Sequence, residues 1–160
     1  MSRILIAGAM LLLFAAVASF LVPAPSAPAA MAAVQSTTPD QISVVRGGIA
    51  TPLDAGEKLA VTRDLDAVAR ISVVAGARYT RSLSLTLADA AGQVDGATVR
   101  ISAHMRYMDH GAFTIPASAG GDGTYVALLP FAMPGEWELV IECRAGANVG
   151  TLILDIDEYE

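Results

Sequence analysis

The chain has 160 residues, 54% of them hydrophobic, and a formal net charge of −6. That length allows one domain of ordinary size with an appendage. The acidic balance, with Lys58 the sole lysine and no basic cluster, excludes nucleic acid and anionic lipid as expected partners.

The first element predicted is an apolar helix. Met1 to Val22 reads "MSRILIAGAMLLLFAAVASFLV", with Arg3 its only charge. A basic start, an apolar core and the small-x-small sites Ala27-Pro28-Ala29 and Ala30-Met31-Ala32 are the parts of a secretory signal. The apolar run is also long enough to span a bilayer, so residues 1–32 are expected to be a cleaved signal peptide or an N-terminal membrane anchor. Either way the remainder is expected outside the cytoplasm, touching the membrane only through that segment if it stays uncleaved. Removing 1–32 takes away Arg3 alone and leaves nine basic against 16 acidic side chains, a net of −7.

Residues 33–60 are expected to be linker and irregular chain, after the run of Pro23, Pro25, Pro28 and Pro39. A short strand is allowed at "ISVVRGG", and one or two strands between 42 and 78. From Tyr79 the pattern sharpens. "YTRSLSLTLADAAGQ" alternates, with Tyr79, Leu83, Leu85 and Leu87 on one face, the period of a half-buried strand. "DAAGQVDG" supplies a turn. "ATVRISAHMRYM" alternates again, with Val99, Ile101, Ala103, Met105 and Tyr107 toward the core. "ASAGGDG" is predicted as a turn, "TYVALLPF" as a strand. "MPGEWELVIECRAG" sets Trp137, Leu139, Ile141 and Cys143 on one face, and Trp137 is expected to centre the core beside Tyr125 or Phe131. "VGTLILDIDEYE" closes as a last strand. Short alternating strands between Gly- and Pro-rich turns predict an all-β domain, a β-sandwich over 61–160. With the single Cys143 there is no internal disulfide, and a thiol on that face is expected to be buried and inert.

The order of these features resembles the YtkA-like domain family of bacterial exported proteins. The resemblance rests on D-x-x-G-x-x-x-x-A-x-V at Asp89 to Val99 and M-x-x-M-x-H-G at Met105–Gly111. It continues with G-x-G-x-Y at Gly121–Tyr125 and M-x-G-x-W-x-L at Met133–Leu139, and covers roughly residues 70–157. It implies an immunoglobulin-like β-sandwich in the periplasm or another extracytoplasmic space. Relatives occur near copper-handling and oxidase-assembly proteins.

Both histidines fall in "HMRYMDHG", residues 104–111. Along one extended strand His104, Met108 and His110 spread over roughly 20 Å, too far for one ion. A turn near Met108 would instead bring Met108 and His110 together with Met133 of the "FAMPG" turn, and Asp109 could orient the imidazole. Thioether with imidazole suits Cu(I). The expected metal ligands are therefore His110, Met108 and Met133, with His104 the weaker candidate beside an ordinary surface role. The alternative for the stretch is a tight strand end with Gly111 at positive φ. There is no G-x-S-x-G, H-E-x-x-H or phosphate loop, so no enzyme and no catalytic residue is expected. Two functions stay open. One is a non-enzymatic binding or accessory module of the cell envelope, in copper handling or oxidase assembly. The other is a metal-free interaction or structural domain meeting an envelope protein through a sheet face or open edge.

Overall fold

The structure, a computed structural model, describes residues 42–109 and 111–158. They fold as two antiparallel sheets with no helix among them. The first sheet has six strands in the order β2 (Ile49–Pro52), β1 (Ile42–Arg46), β12 (Asn148–Glu158), β11 (Gly135–Ala145), β7 (Thr98–Met105) and β8 (Phe113–Pro116). The second runs β3 (Leu59–Ala60), β4 (Asp66–Val73), β5 (Thr80–Asp89), β10 (Thr124–Pro130) and β9 (Ser118–Gly121), with the two-residue β6 (Gly92–Gln93) also on β5. The predicted N-terminal helix lies outside the described residues, and among those no helix is long and apolar enough to cross a membrane.

One core joins the sheets, which makes the arrangement a β-sandwich. The first contributes Val99, Ile101, Ala103, Trp137, Leu139, Ile141, Leu154 and Ile156, the second Leu83, Leu85, Leu87, Ala127 and Leu129. Period-two alternation builds it, since successive side chains of a strand point to opposite faces. On β11, Trp137, Leu139, Ile141 and Cys143 are all fully buried. Burying one such large side chain contributes about 1.5–3 kcal/mol, so this strand alone is a large share of the core.

Three sequence expectations meet a different outcome. Within 33–60, expected as linker with a short strand allowed at "ISVVRGG", the described part from 42 onward carries that strand as β1 and, beyond it, β2, joined to β1 through Gly47 and Gly48 at φ +59° and +81°, and the short β3. Two positive φ values in a two-residue loop are what a type I′ hairpin needs. Second, "ASAGG" is not a turn: Ser118–Gly121 pairs with β10, and the turn contracts to Asp122 and Gly123. Residues 113–121 therefore cross between sheets at Ala117, whose N–H donates to the Val99 carbonyl at 2.9 Å. Third, the alternation of β7 stops at Met105, so Tyr107 is not in the core but 78% exposed. Trp137 stacks on Phe131, one of its two expected neighbours, and on Phe113, at ring-centroid distances of 5.0 and 6.0 Å. The Tyr125 hydroxyl instead donates to the Val94 carbonyl at 2.9 Å and accepts from the Ala97 N–H at 2.8 Å.

Alternation also placed a charge inside. Arg81 shares the parity of Leu83, Leu85 and Leu87, and Glu158 shares that of Leu154 and Ile156. The two meet across the sandwich at 2.6 Å, with side chains 4% and 0% exposed.

Candidate functional site at the end of the sandwich

At the end of the sandwich where β7 stops, two connections come together. Residues 106–112 lead from β7 to β8, and residues 131–134 lead from β10 to β11. Three aromatic rings floor this end. Phe113 lies 6.0 Å from both Phe131 and Trp137. The Trp137 indole N–H donates to the Met133 carbonyl at 3.2 Å, which fixes the "FAMPG" turn over the rings. Phe131 is held in turn by its N–H to the Tyr79 carbonyl at 2.9 Å.

Gly111 closes against this floor. Its φ is +76°, and a Cβ placed there would lie 3.0 Å from Cη2 of Trp137 and 3.1 Å from Cβ of Ala132. So the chain immediately after residue 110 touches the turn that carries Met133. Left-handed backbone and close contact together require glycine at this position. Met133 is half-buried and packs on the core, while Met108 is 48% exposed. Met105 is buried beneath, next to Gly135, where a Cβ would meet its Cε at 2.5 Å. Of the expected ligands, Met108 and Met133 therefore sit on the two connections that meet, and His110 lies outside the described residues.

His104 is elsewhere. It stands on the outer face of the first sheet, opposite Glu138, with Nε2 3.3 Å from the carboxylate. Its neighbours are acids. Glu138 is also opposite Asp155 on β12, and Glu136 is opposite Asp157. Like charges directly opposed across a strand pair are destabilising. Arg106, just past the end of β7, offsets part of this through a 2.7 Å ion pair with Asp155. Asp155 is only 7% exposed, and one of its carboxylate oxygens is buried with no hydrogen-bond partner among the described residues. Burial raises its pKa above the ordinary carboxylate value; Arg106 pulls it down, and Glu138, Asp157 and Glu136 push it up again. Sequence reasoning missed this residue because its outward parity in "LDID" reads as solvated. Only the approach of Arg106 from β7 reveals the burial.

No group of three His, Cys, Asp or Glu among the described residues is arranged to hold a metal ion. Cys143 is buried, and burial pushes its thiol up to about 11. A thiol so protonated and covered is a poor nucleophile and a poor ligand. Among the described residues the thioethers at the sandwich end are donors with soft-metal chemistry, which fit Cu(I) far better than a hard cation. No family model matches the chain, and neither the curated proteins nor the solved structures include a match.

Proposed function

We propose that this chain is a non-enzymatic, exported binding or accessory module of the cell envelope, an immunoglobulin-like β-sandwich of the YtkA-like type. It works through the end of the sandwich at residues 106–112 and 131–134, as a copper-handling or oxidase-assembly accessory. Met108, His110 and Met133 are the ligands by which it would take Cu(I). The observation that supports this is the contact of Gly111 with Ala132 and Trp137, by which the connection that carries Met108 touches the one that carries Met133. A thioether pair with one imidazole would hold Cu(I) by soft donors while leaving it open to transfer. His104 has no part in this, being engaged with Glu138 on the sheet face.

A second reading rests on exposure at the same end. Tyr107 is 78% and Met108 48% exposed, an apolar pair on one connection. An aromatic and a flexible thioether standing in water are suited to a protein partner. In that reading the module is a metal-free interaction domain, and the partner is another envelope protein.

Titration of the full chain in detergent micelles with Cu(I) against a competing chelator separates the two. One-to-one binding that Met108→Ala and His110→Ala each weaken by about tenfold or more, roughly 1.4 kcal/mol, supports the copper site. No competition above the chelator alone removes it and leaves the interaction reading, tested next by partner capture with and without Tyr107→Ala.

A further inference from the structure

At the far end of the same sheet the outer face has a different chemistry. Across β7 and β11, Arg100 stands opposite Glu142 and Thr98 opposite Arg144; across β11 and β12, Glu142 stands opposite Thr151 and Arg144 opposite Val149. These six side chains line a cavity of about 380 Å³. Its size lies at the lower end of the range of small-molecule sites.

Opposite charges facing each other across two strands ordinarily pair. On the other half of this face they do: His104 with Glu138 at 3.3 Å, and Arg106 with Asp155 at 2.7 Å. Arg100 and Glu142 do not. Neither they nor Arg144 has an ion pair or hydrogen bond from its side chain to any described residue. Two guanidinium groups and one carboxylate thus border a gap instead of closing it. Arg100 and Arg144 are diagonal neighbours, a spacing within reach of long side chains that converge on one oxyanion.

We infer that this cavity binds a small zwitterion, a ligand carrying one carboxylate and one ammonium, as in a free amino acid or the ends of a short peptide. The carboxylate lies between Arg100 and Arg144, which recognise its planar oxygens by paired N–H donors. The ammonium goes to Glu142. The hydroxyls of Thr98 and Thr151 complete the polar frame, and Val149, 55% exposed, offers an apolar wall for a short side chain. Simple ions fit less well. A bare anion meets Glu142 and the field of a chain of net charge −6, and a bare cation meets two guanidinium groups.

The site lies at the opposite end of β7 and β11 from the proposed metal ligands, so either can fail alone. The test is amide chemical-shift mapping of the full chain in micelles, titrated with L-alanine, L-alanyl-L-alanine, acetate and methylammonium. The expected result is saturable shifts at Thr98–Arg100, Glu142–Arg144 and Val149–Thr151 with L-alanine or the dipeptide. Affinity would be on the order of millimolar, with acetate and methylammonium weaker by about tenfold or more. Whichever of the two zwitterions binds more tightly identifies the source. Arg144→Gln and Glu142→Gln each weaken binding by about tenfold and leave the rest of the spectrum in place. The inference is overturned if neither zwitterion gives a saturable shift, if acetate binds as well as they do, or if both variants bind unchanged.

Discussion

Arg81 and Glu158 join the two sheets at 2.6 Å through side chains that are 4% and 0% exposed. Removing one partner takes the close ion pair away from a buried charge, which costs about 3–5 kcal/mol, whereas replacing both by apolar residues of similar volume is near neutral or stabilising by about 1–4 kcal/mol. Arg81→Met and Glu158→Leu should therefore each be severely destabilising, and the double variant should recover most of the loss. For a domain of about a hundred residues, 1 kcal/mol corresponds to ~4–8 °C, so each single variant should melt at least about 12 °C below the parent. Urea unfolding followed by the fluorescence of Trp137, the sole tryptophan, measures all four corners of the cycle. Buried pairs are little screened, so the coupling should persist at high salt. Additive single losses in the double variant, or singles costing under about 1 kcal/mol, would refute the view that this pair is the electrostatic link between the sheets.

Two further outcomes follow from the sandwich end and its neighbouring face. Gly111→Ala puts a side chain at φ +76° and a Cβ about 3 Å from Trp137 and Ala132. Left-handed strain and overpacking together should cost about 2–4 kcal/mol in urea midpoint measurements and shift Trp137 emission; a loss below about 0.5 kcal/mol contradicts the packing described. Asp155, raised by burial, binds its proton more tightly folded than unfolded. Its stabilising effect is complete below the ordinary carboxylate value, about pH 4, and declines as pH rises through its native titration. Asp155→Asn removes that decline, so the variant should gain stability relative to the parent between about pH 4 and pH 7, and parallel stability curves over that range would count against the buried charge.

The strand-bearing part of the chain was legible because alternation and burial are the same fact in a sandwich. "SLSLTL", "TVRISAHM" and "EWELVIEC" place Leu83 to Leu87, Val99 to Met105 and Trp137 to Cys143 in the core at the parity the sequence shows. Parity also carried Arg81 and Glu158 inward, yet nothing local says that they would meet, because a contact spanning 77 residues is set by how the sheets stack. Where alternation ended was not legible either. "SAHMRYM" continues its pattern through Tyr107, and only the departure of the chain after Met105 exposes that ring. Likewise "SAGG" has turn composition, but β10 offers it a partner and it pairs.

The candidate site divides in the same way. The sequence by itself determined which donors exist: two histidines in one stretch, Met108 and Met133, a single thiol, and acids alternating along the last strands. Tertiary structure decided which are neighbours. It set Gly111 against Ala132 and Trp137, left His104 with Glu138, and buried Asp155 beneath Arg106. It also left Arg100 and Arg144 open beside Glu142, in a cavity that three strands must pair to create. Side-chain type and period are properties of a few consecutive residues. Which strand lies beside which follows from a core assembled by residues far apart in the chain.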